Sequence, residues 1–66
     1  MIEFEHKWWL DSDTFCIHAT INGNYVLVEY WLDKGSFHYL DENSEPIEFE
    51  NEMLYELNKK VVEYMQ

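Results

Sequence analysis

Hydrophobic and polar residues alternate with period two through the first forty positions, and that alternation predicts strands. In the opening run Ile2, Phe4, His6, Trp8 and Leu10 share one face, and Glu3, Glu5, Lys7 and Trp9 share the other. A second run sets Phe15, Ile17, Ala19 and Ile21 against Thr14, Cys16, His18 and Thr20. Asn22-Gly23 then supplies a strong hairpin signal, because a type I′ turn needs φ > 0 at both central positions and these two residues tolerate it best. With Ile21 opposite Asn24, Ala19 faces Val26, Ile17 faces Val28 and Phe15 faces Tyr30. Both apolar sets therefore land on one side, which a slip of one residue would reverse.

The next hairpin obeys the same logic. A two-residue turn at Lys34-Gly35 pairs Leu32 with Phe37 and Tyr30 with Tyr39. The first hairpin turns within Asp11-Ser12-Asp13, and a loop of two or of four residues points Trp8 and Phe4 inward and Trp9 outward. Past Leu40 the pattern changes. Asp41-Glu42-Asn43-Ser44-Glu45-Pro46 is a polar connection, after which Phe49, Met53, Leu54, Leu57, Val61, Tyr64 and Met65 recur at helical spacing. Glu48, Glu50 and Glu52 open that segment and Lys59 and Lys60 lie nearer its end, as the helix macrodipole favours. The expected fold is α+β, a four-stranded antiparallel meander with one C-terminal α-helix on one face, and residues 1–66 form a single domain.

Size limits the core. A 66-residue domain has a small core, and chains this short usually need a staple or dense apolar burial. Cys16 is the sole cysteine, so no internal disulfide can form, and no Cys/His spacing closes a structural zinc site. Three Trp, five Tyr and four Phe compensate with large buried areas. The lone thiol and the absence of a leader-like start predict a reducing, cytoplasmic setting. No apolar run approaches the roughly 20 residues that span a bilayer.

Charge narrows the range of partners further. Fourteen Asp and Glu face four Lys and no Arg, for a formal net charge of −10. Affinity for phosphates comes from Lys and Arg, so direct nucleic-acid binding is not expected. Anionic membranes would repel the chain, and its natural partners are basic proteins.

Candidate chemistry is sparse. His18 and His38 are expected on the face away from the helix and His6 on the inner one, and two imidazoles without an oriented third ligand do not define a metal site. Asp41-x-Asn43-x-Glu45 with Glu52 at the twelfth position resembles an EF-hand loop, but Pro46 stands where that loop needs Gly and a strand precedes it. Cys16 and His18 share a strand face at about 7 Å, loose for a nucleophile and its base. Glu29, expected across from Cys16, would raise the thiol pKa. No catalytic residue, cofactor or metal is therefore assigned, and the chain is expected to bind rather than to catalyse.

Two surfaces remain. Asp41, Glu42, Glu45, Glu48, Glu50, Glu52 and Glu56 lie within sixteen residues that contain no Lys or Arg. The second, outer face of the sheet carries Trp9, Tyr25, Leu27, Trp31 and Leu40 among Glu3, Glu5, Glu29, His18 and His38. Exposed aromatics within an acidic rim have the make-up of an interface anchor. In size, charge and architecture the chain resembles, as a class, the inhibitors that phages direct at nucleic-acid-handling host enzymes, anti-CRISPR proteins and DNA mimics among them. That resemblance implies a partner-binding surface of Asp41 to Glu56, with Trp9, Tyr25, Glu29 and Trp31 beside it, docked on a basic nucleic-acid channel. The competing expectation is an adaptor or dimerising regulator that uses the aromatic face, with the acids serving solubility.

Overall fold

A computed structural model describes all 66 residues. Strands β1 (Ile2–Trp9), β2 (Thr14–Ile21), β3 (Asn24–Trp31) and β4 (Ser36–Leu40) form one antiparallel sheet in the order β1-β2-β3-β4, and helix α1 (Asn51–Met65) follows. The α+β meander expected from the alternation is the fold observed.

The central hairpin has the register that Asn22-Gly23 dictates. Asn22 and Gly23 have φ of 51° and 83°, both left-handed as a type I′ turn requires. Ile21 faces Asn24, Ala19 faces Val26, Ile17 faces Val28 and Phe15 faces Tyr30.

The β3–β4 hairpin keeps its expected faces but not its expected pairs. Its loop has four residues, Leu32 to Gly35, so Tyr30 faces Phe37 and Val28 faces Tyr39. Lys34 N donates to Trp31 O at 3.3 Å, and Gly35 takes φ +60° to lead into β4. The pairing thus slips by two residues from the Lys34-Gly35 register. A slip of two moves each residue along the sheet without turning it over.

β1 departs further. Phe4 pairs with Ala19 but His6 pairs with His18, so Glu5 is an extra residue in a β-bulge. Toward the turn, Lys7 faces Ile17, Trp8 faces Cys16 and Trp9 faces Phe15. Leu10 N donates to Thr14 O at 3.0 Å and closes a hairpin loop of three residues, Asp11 to Asp13, an odd number, within which Asp13 N donates to the Asp11 carboxylate at 2.8 Å. Odd loop and bulge cancel at Phe4 and Ile2, which keep their expected side. Between them the parity is reversed: His6 and Trp8 join the outer face and Lys7 and Trp9 the helix side, while Leu10 lies exposed in the loop. The expected placement of Trp9 outside and of His6, Trp8 and Leu10 inside is corrected accordingly, because a single inserted residue turns over every side chain between it and the turn.

The core lies between the sheet and α1. Phe15, Ile17, Ala19, Ile21, Val26, Val28 and Tyr39 from the strands enclose Leu57 and Val61 from the helix. Helical spacing places Leu57 and Val61 on one stripe, and Met53, Leu54, Tyr64 and Met65 pack around them. The helix crosses the strands from β4 to β1. Near its start Phe49 meets Tyr39 edge-on at 5.6 Å, and near its end Tyr64 stacks on Phe4 at 4.6 Å. The Tyr39 hydroxyl donates to Asn58 Oδ1 at 2.6 Å, and burial holds that phenol well above its usual pKa.

The bulge has a use at the far end of α1. The last turn carries no basic residue of its own, so the orphan carbonyls there lack the local cation that the macrodipole favours. Lys7, turned inward by the bulge, supplies it from β1: its ammonium donates to Tyr64 O at 2.9 Å and lies 4.8 Å from the centre of the Tyr64 ring.

Candidate protein-interaction surface

The acidic segment begins as β4 ends. Asp41 Oδ1 accepts from Asn43 N at 2.8 Å and Glu45 N at 3.0 Å, while Asp41 N donates to Glu45 O and Ser44 N to Asp41 O. A short polar side chain that satisfies two backbone donors in this way fixes a tight loop, and it holds Ser44 at φ +64°, a conformation uncommon outside Gly and Asn. Leu40 then bridges Pro46, and Ile47 N donates to Tyr39 O at 2.8 Å, returning the chain along β4. Asp41 therefore organises the loop, with its carboxylate engaged inside the chain.

The other six carboxylates are not engaged. Glu42, Glu45, Glu48, Glu50, Glu52 and Glu56 are all exposed, and no lysine approaches any of them within ion-pair distance; the one contact of this length between a carboxylate and a basic side chain joins Glu5 to the His18 imidazole at 3.3 Å. Glu50 occupies the N-cap position of α1 without a side-chain capping bond, and Glu52 lies in the first turn, where the helix dipole favours negative charge. Glu52 and Glu56 are one turn apart, about 5–6 Å between Cβ atoms. Of the four lysines, Lys7 is held at the helix C-terminus and Lys34 over Trp31, leaving Lys59 and Lys60 exposed on α1. The Asp41–Glu56 stretch is thus a negative surface without an ion pair, with Lys59 and Lys60 one turn beyond its last residue.

The outer face of the sheet is built differently. Across the strands it carries the rows Trp8–Cys16–Glu29–His38 and His6–His18–Leu27–Leu40, with Thr14, Trp31 and Ser36 at one end and Thr20 and Tyr25 at the other. Tyr25, Leu27, Glu29, Trp31, His18, His38 and Leu40 lie where the alternation put them. Trp8 takes the place expected for Trp9, and the sequence holds no signal that separates these adjacent tryptophans, since either fits a strand face and only the bulge decides.

Polar contacts lock this face. The Trp31 indole donates to Glu29 Oε1 at 3.0 Å and its ring lies 4.0 Å from that of His38, which in turn contacts the Ser36 hydroxyl at 2.9 Å. His18 lies 4.4 Å from Tyr25, the Thr20 hydroxyl donates to Glu5 Oε1 at 3.3 Å, and His6 stacks on Trp8 at 5.3 Å. All three histidines share the face, but no three potential ligands converge as a metal cage would require. Trp31 is half-buried by its neighbours, and Tyr25 is the more exposed ring.

Cys16 lies beneath this network, only 2% exposed. Burial, then Glu29 and Asp11, push its thiol above the usual value. The Glu29 contribution is the one its cross-strand position leads one to expect, and burial exceeds it. A thiol so placed is a poor nucleophile, because the thiolate is the reactive form. The concavities are shallow and open, one beside Asn51, Glu52, Tyr55 and Glu56 and one between Gly23–Tyr25 and Asp41, Glu42 and Ile47. Both are lined in part by the acidic segment. No helix is long and apolar enough to cross a membrane.

The chain matches no known protein family, and comparison with curated proteins and with solved structures finds no match either.

Proposed function

We propose that this is a small acidic binding protein that acts in the cytoplasm by occupying a basic, nucleic-acid-binding surface of another protein, in the manner of DNA-mimic and anti-CRISPR inhibitors of phage origin. One observation carries the reading: six exposed glutamates, Glu42, Glu45, Glu48, Glu50, Glu52 and Glu56, lie along one loop and the start of one helix with no lysine within ion-pair distance, Lys59 and Lys60 lying one turn beyond Glu56. Like charges at this density repel, and a chain that keeps them unpaired retains a surface complementary to Lys and Arg. Carboxylates placed there stand where a basic groove would hold phosphates, and they would raise the association rate more than the lifetime of the complex. Asp41 serves by shaping the loop.

A second reading has its own support. Tyr25, Trp31 and Glu29, with Trp8 now beside them, give the outer face aromatic area inside an acidic rim, as an adaptor or a dimerising regulator would need. Its polar groups, however, are largely satisfied within the chain, and satisfied groups gain less from a partner.

Capture of the partner from host lysate on immobilised protein, followed by elution with duplex DNA, tests the first reading. DNA should release the captured protein, and a variant with Glu42, Glu45, Glu48, Glu50 and Glu52 changed to Gln should capture little of it. Equal capture by both proteins, undisturbed by DNA, would transfer the function to the outer face.

A further inference from the structure

One row of the sheet on the helix side is only partly covered: Phe15 is buried in the core and Tyr30 and Phe37 are half-buried against it, while Trp9 is open to solvent. Trp9, Phe15, Tyr30 and Phe37 are consecutive cross-strand partners, one from each strand. Their ring contacts are with one another: Trp9 meets Phe15 edge-on at 5.0 Å and Tyr30 lies 4.8 Å from Phe37. The polar and aromatic anchors of α1 lie on other rows, on Tyr39 through Asn58 and on Phe4 through Tyr64, with Phe49 just ahead of the helix against Tyr39. Trp9 stays 56% exposed, and Leu10 and Leu32 in the adjoining loops are 62% and 42% exposed. Leu32 N donates to Asp13 O at 2.8 Å, so the two loops form one rim.

We propose that this row is the seat of a basic amphipathic helix of a partner protein, laid beside α1 to complete the helix layer. Four strands at about 4.8 Å spacing make a row about 14 Å long, the length of about ten helical residues. A helix is about 10 Å across, and sheet residues two apart along a strand are separated by about 7 Å, so the row beyond Tyr39 gives a neighbour of α1 its floor. Charge selects the occupant. The rim carries Asp11, Asp13 and Asp33, all exposed, whereas the lysine of that loop, Lys34, is turned over Trp31 on the opposite face at 5.4 Å. An apolar stripe flanked by Lys and Arg meets both the rings and the rim. A second copy of this chain would bring the same three aspartates and its own charge of −10 against them, which disfavours it as the occupant. The seat is separate from residues 41–56 and does not depend on the reading given to them.

The test is a titration of 15N-labelled protein with a Leu/Lys amphipathic peptide of about 14 residues, helical with one apolar face, beside a Leu/Glu peptide of the same pattern and a Ser/Lys peptide of the same charge. The Leu/Lys peptide should shift the Trp9 indole signal and the amides of Leu10, Phe15, Leu32 and Phe37 in a saturable way. The other two should leave these signals in place. Trp9→Ser with Leu32→Ser should weaken Leu/Lys binding about tenfold or more; if that double variant loses its circular dichroism spectrum, Leu32→Ser alone must still weaken it. The variant with five glutamines in the acidic segment should keep the same shifts, which separates this seat from the acidic surface. Shifts confined to residues 41–56 or to the outer face, unchanged affinity in the Ser variants, or Trp9 shifts that follow protein concentration without peptide would overturn the proposal, the last by making a second copy the occupant.

Discussion

The acidic segment and the outer face of the sheet are both open to solvent, yet they dispose of their polar groups in opposite ways. On the sheet, Glu29 accepts from Trp31, Glu5 accepts from Thr20 and contacts His18, and His38 is held by Ser36 and stacked on Trp31. In the segment, only Asp41 is engaged, and six glutamates meet no cation. The first surface contributes to the stability of the domain and the second draws on it through self-repulsion. A group satisfied inside the chain has little to gain from a partner, while an unpaired charge gains from any cation that desolvates little. That difference is why the segment, rather than the tryptophan-bearing face, is assigned the main binding role.

The largest effect should come from beneath both surfaces and sets the scale for the rest. Leu57→Ala empties a site that is fully enclosed between helix and sheet and should cost about 2–5 kcal/mol in denaturant unfolding, enough to leave a domain of this size largely unfolded. A smaller loss would mean that α1 is only loosely docked.

Next in size is the outer face. Trp31→Ala removes the bond to Glu29, the stacking on His38 and the contact with Lys34, and should destabilise the fold by about 1–3 kcal/mol. Its effect on partner capture, corrected for the folded fraction, should be slight. Strong loss of capture from a stable Trp31→Ala variant would reverse the comparison and favour the adaptor reading.

Cys16 and Tyr39 give a pH test of the same packing. Both groups have folded pKa values raised by burial above reference values of 9.0 and 10.0. The folded state therefore holds protons that the unfolded state releases, and stability present in full below about pH 9 should fall as pH rises through the alkaline range. Melting temperatures between pH 8 and 11 should show the decline, with a shallower slope in Cys16→Ala. A flat profile would mean that water reaches these groups and that the network over Cys16 opens.

The smallest stability effect belongs to the acidic segment. Changing Glu42, Glu45, Glu48, Glu50 and Glu52 to Gln halves the formal net charge and should stabilise the fold by up to about 1 kcal/mol at low salt, fading as salt rises. A loss of stability would show that these side chains do structural work.

These two surfaces were unequally legible in the sequence. Asn22-Gly23 specifies its turn from local backbone preference alone, so the β2–β3 register could be read residue by residue. The β3–β4 loop could not, because Lys34-Gly35 suits more than one turn, yet any even slip preserves the faces. β1 is where alternation failed: His6-Lys7-Trp8-Trp9 fits either parity, no local signal marks Glu5 as the inserted residue, and the Lys7 contact with Tyr64 O accompanies the parity the bulge sets. The acidic residues were plain in the sequence, but the separate role of Asp41 was not, since it depends on a loop whose shape appears only once Asn43 N and Glu45 N converge on one carboxylate.

If the glutamates of the acidic segment bind a basic partner, binding must depend on salt. Association of the captured partner with the parent protein and with the five-glutamine variant should be followed across a range of ionic strength that brackets the physiological, where the Debye length is about 8 Å. The parent should lose affinity steeply as salt rises, chiefly through a slower association rate, and the variant should start weaker and depend less on salt. Parallel salt profiles with equal affinities for the two proteins would contradict the account and leave the acidic segment as a solubilising surface.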